Sequence, residues 1–201
     1  ARLYGQARGN ARGNARGNAR GSARVKSTAA DGSWISVEQR ARVLGIDPGT
    51  RIAGYAVVDF GERSDARIVD AGVLRLTETA TLSWRLRQLF EDVTALIAEH
   101  RPTHVSVESV FSHAAHVSSA ITLAHARAVV LLAAELRGIP IAELPPAEVK
   151  KAIAGNGRAT KEQMQRAVMS QCGLATMPEP PDVADAIAIA LCGGRRLRGI
   201  A

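Results

Sequence analysis

Apolar residues fall into short runs and helical stripes from residue 43 onward. VLGID at 43–47 ends in a carboxylate and then Pro48-Gly49, which predicts a buried strand entering a turn. Residues 52–60 (IAGYAVVDF) and 67–76 (RIVDAGVLRL) predict two more strands, and the short links make the three an antiparallel meander. Leu82, Leu86, Leu89, Phe90, Val93, Leu96 and Ile97 recur at helical spacing, and Arg101-Pro102 stops that helix. THVSVE at 103–108 predicts a strand that also ends in a carboxylate. Residues 116–137 form a long apolar helix ended by Gly138, and 139–144 a strand. Pro145-Pro146 opens a short helix through Ile153, and Gly155-Asn156-Gly157 is a loop. Thr160 opens another helix, 173–181 is a Pro-rich loop, and the last helix runs from 182 to about 192. The order β-β-β-α-β-α-β-α-α-α predicts an α/β fold, a mixed five-stranded sheet flanked by helices.

Before this pattern stands a repeat, ARGN-ARGN-ARGN-ARGS at 7–22, with a helix-breaking Gly in every unit and nothing to bury. Residues 1–42 are therefore expected to be a disordered, basic, low-complexity tail, with the folded domain over 43–198. Charge supports the division. Nine Arg and Lys against two acids within 1–42 account for the whole net charge of +7, leaving 17 of each sign beyond. The tail is either a salt-sensitive tether to nucleic acid or a solvated extension without a role. Cys172 and Cys192 lack the close pairing of a zinc site and are expected to be reduced core thiols. No run approaches the roughly 18–20 apolar residues of a membrane span, and no signal-peptide core is present. A cytoplasmic protein is the expectation.

Four carboxylates resist the reading of ordinary surface acids. Asp47 and Glu108 end apolar strands, where open α/β sheets build their sites. Asp182 and Asp185 open the last helix at i and i+3, ahead of the apolar run AIAIAL that must lie on the sheet. Each has a plainer alternative: Asp47 as a turn former, Asp182 as an N-cap, Asp185 as a helix-dipole partner. Four acids converging on one place repel unless a cation lies between them, and acid-only ligands select hard ions such as Mg²⁺ or Mn²⁺. Two such ions would suit phosphodiester hydrolysis.

The motifs also have a family resemblance. VLGIDPGTRIAGYAVVD at 43–59 resembles the first motif of the RuvC family of Holliday-junction resolvases, Glu108-Ser109-Val110-Phe111 its E-x-V-F, and DVADAIAIA at 182–190 its last. The resemblance covers about residues 43–198 in order and spacing. It implies an RNase H-like fold and a homodimer working with the RuvA and RuvB branch-migration proteins. It implies Mg²⁺-dependent resolution of four-way DNA junctions by paired symmetric nicks, with two ions per site and Mn²⁺ able to substitute, leaving 5'-phosphate and 3'-hydroxyl ends, in homologous recombination and DNA repair. Carried over by position, Asp47, Glu108, Asp182 and Asp185 are the metal-binding catalytic acids, and Phe111 wedges against bases at the junction centre. Lys150 and Lys161 fall on DNA-facing positions, with Lys151 and Arg158 beside them, although on sequence alone these are ordinary surface charges and Phe111 a core residue. The 155–158 loop suits phosphate contacts. His113 and His116 follow Phe111, near DNA or simply on the surface.

The apolar helix at 116–137 either contributes to a dimer interface or is wholly buried in one subunit. Three other functions compete. Asp47-Pro48-Gly49-Thr50 also fits the phosphate loop of sugar-kinase and actin-type ATPases, though those need a longer, two-lobed chain and leave Glu108, Asp182 and Asp185 unexplained. An RNase H-like nuclease on another nucleic acid, and a junction-binding module without cleavage, are the others.

Overall fold

The computed structural model describes residues 27–28, 34–35, 41–61, 66–109 and 117–199. Within the stretch expected to be disordered, β1 (Ser27–Thr28) and β2 (Trp34–Ile35) pair antiparallel. The main chain of elements then follows as β3 (Ala41–Asp47), β4 (Ile52–Phe60), β5 (Ala66–Arg75), α1 (Leu82–His100), β6 (His104–Glu108), α2 (Val117–Glu135), β7 (Ile141–Leu144), α3 (Pro146–Ala154), α4 (Lys161–Gln171) and α5 (Pro181–Leu197). The five-stranded sheet has the order β5-β4-β3-β6-β7. β3, β4 and β5 form the antiparallel meander, and β6 and β7 extend it in parallel from β3.

Alternation along the strands divides the core in two. Leu44, Ile46, Tyr55, Val57, Val105 and Val107 pack against α1 and α2. Val43, Ala56, Val58 and Phe60 face α3, α4 and α5. On this second face α5 approaches until backbone meets backbone. A Cβ at Gly45 would stand 2.5 Å from both Ala186 O and Ala190 N, and one at Gly54 would overlap Asp182 O. The helix answers with its own glycines: a Cβ at Gly193 would overlap Ser106 Oγ, and one at Gly194 the Phe60 ring. That is why α5 does not stop near Cys192 as expected but runs through the Gly193-Gly194 pair to Leu197. Burial against the sheet outweighs the roughly 1 kcal/mol that each glycine costs a helix.

The expectation that α2 is apolar all round and therefore buried holds for one side only. Ala126, Val130, Ala133 and Ala134 are buried, whereas Ile121 is 54% and Leu132 52% exposed. Cys172 is half-buried and Cys192 buried, and both are free thiols.

Gly45→Ala places a methyl where Ala186 O and Ala190 N already stand, so it is expected to destabilise the fold by about 1–3 kcal/mol. Urea denaturation of the variant beside the parent measures this; an unchanged midpoint would mean that α5 moves away at no cost.

Candidate active site

Asp47 ends β3 and Glu108 ends its parallel neighbour β6. The register that pairs Ile46 with Val107 sets the two acids at one level, and alternation turns both toward the α5 face. Asp47 also pairs across the antiparallel ladder with Gly54, the residue on whose bare backbone the Asp182 carbonyl rests. The close packing of α5 thus brings the start of that helix over the end of β3. The N-cap of α5 is Pro180, and no side chain caps it. Asp182 is therefore not the cap that the sequence allowed; it lies in the first turn with Asp185 one turn on, along the same face.

All four carboxylates are half-buried. Burial, then the fields of Asp185, Glu108 and Asp182, push Asp47 up to about 7, against the pull of Lys161. Glu108 is raised by burial and by Asp185, opposed by Lys150. Asp185 is raised chiefly by burial and also by Asp182, with Lys161 and Lys150 opposing. The acids form one electrostatic unit with two ammonium groups at its rim. Among the described residues, no group of three or more His, Cys, Asp or Glu side chains is close enough to hold a metal ion. The acids share a field, and like charges so placed repel one another.

The other predicted residues divide. Lys150 is half-buried on α3. Lys161 is the first residue of α4, whose N-cap Thr160 forms a capping box with Gln163. A lysine there works against the helix dipole by about 0.3–1 kcal/mol, and the field of the acids offsets this. Lys151, one step further round α3, is exposed, as is Arg158, whose backbone N–H donates to Asn156 Oδ1 at 3.0 Å. Neither is among the charges that shift Asp47, Glu108 or Asp185. Phe111, His113 and His116 lie outside the described residues. One residue that the sequence did not single out touches the site's framework. Arg85 on α1 donates from Nη1 to the Thr50 carbonyl at 2.8 Å, in the turn that follows Asp47. Its spacing of four from the buried Leu89 was the available signal.

The sequence and the fold are shared with known proteins. The profile of the family described as "Crossover junction endodeoxyribonuclease RuvC" matches residues 43–193. Proteins of that name from Halorhodospira halophila and Gloeobacter violaceus are similar to the chain. The first is 47% identical over 75% of this chain and 88% of its own, and the second 41% over 76% and 87%. Among solved structures, T. thermophilus RuvC in complex with Holliday junction substrate superimposes with a TM-score of 0.73 at 33% identity, over 80% of this chain and 98% of that one. The yeast mitochondrial Holliday junction resolvase Ydc2, at 17% identity and a TM-score of 0.57, shares the fold over 79% of this chain and 84% of its own.

A carboxyl whose pKa rises on folding stabilises the fold while protonated and ceases to do so as pH rises. For Asp47 that loss runs from its ordinary value of 3.8 up to about 7 and then levels off. In EDTA the parent should therefore melt several degrees lower at pH 8 than at pH 5, and Asp47→Asn should flatten that slope. Millimolar Mg²⁺ at pH 8 should recover part of the difference in the parent and less in the variant. Thermal melts at the two pH values check this, and a parent slope unaltered by the substitution would refute the assignment to Asp47.

Proposed function

The chain belongs to the RuvC family of crossover junction endodeoxyribonucleases, and on that premise we propose that Asp47, Glu108, Asp182 and Asp185 are the catalytic, metal-binding acids with which it cuts four-way DNA junctions. It is an RNase H-like nuclease whose function is Holliday-junction resolution, in DNA recombination and repair. The single observation that carries the site assignment is the gathering of four half-buried acids where β3 and β6 end beneath the first turns of α5, with Asp47, Glu108 and Asp185 raised by burial.

The donor set fits a hard divalent cation in kind: every donor is a carboxylate oxygen, and a cation would offset the burial and the neighbouring carboxylate fields that together raise Asp47. When bound, two Mg²⁺ ions, or Mn²⁺ in their place, would be held by Asp47, Glu108, Asp182 and Asp185 and would supply Lewis-acid charge for a hydrolysis that leaves 5'-phosphate and 3'-hydroxyl ends. Asp47 and Glu108, fixed at strand ends, hold one side of the site, and Asp182 and Asp185 hold the other from the helix. Lys150 and Lys161 have two roles: they temper the acidic field before DNA binds and meet phosphate when it does. Lys151, Arg158 and Phe111 extend the DNA surface.

Two symmetric nicks require two active sites in fixed relation, which a two-fold homodimer provides. The exposed side of α2 supports this assembly: Ile121, Ala124, Ala128 and Leu132 run along one stripe of the helix. The RuvA and RuvB branch-migration proteins are the partners that family membership supplies. A cytoplasmic site of action fits the absence, among the described residues, of any helix long and apolar enough to cross a membrane. The basic tail fits a salt-sensitive tether to the same DNA.

On a synthetic mobile four-way junction, the parent is expected to make paired symmetric nicks in Mg²⁺ and none in EDTA, and Asp47→Asn to bind without cutting. Binding by the parent without cleavage in either condition would leave a junction-binding module. Leu132→Asp is expected to shift sedimentation from dimer to monomer and to abolish paired nicking while the circular dichroism stays parental. A variant that remains dimeric would remove α2 from the interface.

A further inference from the structure

The turn after β3 carries Asp47 at one end and has little to hold it. Pro48 has no N–H to give. Gly49 lies so close to the return strand that a Cβ there would overlap Ile52 O. Beyond its own hairpin, two bonds tie this turn to neighbouring elements among the described residues. The Leu76 N–H donates to Arg51 O at 2.9 Å, and Arg85 Nη1 donates to Thr50 O at 2.8 Å. The same stretch of α1 also grips the end of the neighbouring strand. Gln88 Nε2 donates to Arg75 O at 3.3 Å, and Gln88 Oε1 accepts from Thr77 N at 3.2 Å. The first half of α1 is thus a bracket across the sheet edge where the acids stand.

Within that bracket Arg85 is a costly choice. Its Nε is buried and has no hydrogen-bond partner among the described residues. An arginine that leaves a buried donor unpaired is a poor source of stability. It is a good device for fixing one carbonyl, because its planar fork holds Nη1 in a set direction. The cations that oppose the burial-driven rise of the acids are Lys161 at Asp47, Lys150 at Glu108 and both at Asp185, and Arg85 is not among them.

We propose that Arg85 is a positioning residue for Asp47: by holding the Thr50 carbonyl it fixes the 48–51 turn and so sets the span between Asp47 on the strand and Asp182 and Asp185 on α5. The proposal rests on the nuclease assignment above, and deepens it by adding a contact from the opposite face of the sheet. A cation drawn between strand and helix acids needs that span fixed.

The test compares the parent with Arg85→Ala and Arg85→Lys in the full chain. Loss of a positioning group is expected to lower the junction-cutting rate about tenfold to a hundredfold. It is also expected to raise by about tenfold the Mn²⁺ concentration that gives the half-maximal rise in Tm. Junction affinity in EDTA should stay within about twofold of the parent, since no DNA contact is removed, by the double-mutant logic of independent sites. Arg85→Lys, with a single ammonium that can still reach a carbonyl, should recover part of both losses. Variants that cut at the parental rate, or whose slower cutting follows a lower Tm with the Mn²⁺ midpoint unmoved, would overturn the proposal and leave Arg85 a packing residue. If the parent itself does not cut, the nuclease assignment fails separately, and Arg85 is decided by the Mn²⁺ midpoint alone: a raised midpoint supports positioning and an unmoved one overturns it.

Discussion

The approach of α5 to the sheet is the contact on which the rest depends. Helices usually stand off a sheet by the depth of two layers of side chains. Here Gly45 and Gly54 on the strands, and Gly193 and Gly194 on the helix, remove one layer, and Ala186 and Ala190 thin the other. The gain is positional. Asp182 is fixed by its own backbone against Gly54, directly across the ladder from Asp47, so main-chain contact seats the helix half of the acidic site on the sheet. Side-chain packing over a thicker layer would leave more freedom between them.

The same closeness puts the fold in tension with itself. Desolvated acids cannot all ionise cheaply, and Asp47 carries most of the strain with a pKa near 7. Lys150 and Lys161 relieve part of it. They stand at the N-terminal part of α4 and on α3, outside the sheet, where they are also accessible to an incoming phosphate. The arrangement stores a demand for positive charge that the protein alone does not meet, which is what a site built to receive cations and a polyanion requires.

Much of this was legible in the sequence, and the reasons differ from part to part. The ten elements of the main fold followed from strand alternation, helical spacing and Pro-Gly punctuation, because those signals are local. Asp47 and Glu108 stood out because each closes an apolar run. Asp182 and Asp185 stood out because they precede one. What was not legible came from contacts between distant segments. Gly45 and Gly54 read as ordinary strand glycines until α5 is seen lying on them. α5 extends past the expected end near 192 because Gly193 and Gly194, poor helix formers in isolation, pack against Ser106 and Phe60, which no local pattern reveals. Residue type does not separate Lys150 from its neighbour Lys151, and helix phase directs the first to the acids. Arg85 had no motif at all, since its partner is a main-chain carbonyl 35 residues away.

The glycine contacts also determine where this chain tolerates changes of length. α5 is gripped near both ends, at Gly54 beneath Asp182 and at Gly193 and Gly194 against Ser106 and Phe60. One residue inserted between those grips would turn everything beyond it by about 100° and bring a side chain onto a surface that admits only hydrogen. The connection from Gly173 to Pro180 has no such contact with the sheet's glycines, and Gly173 already adopts a left-handed φ of 61° suited to a loop. Between Gly173 and Gly194, insertions and deletions therefore belong in that connection, while the interval from Asp182 to Gly194 keeps a fixed count of residues.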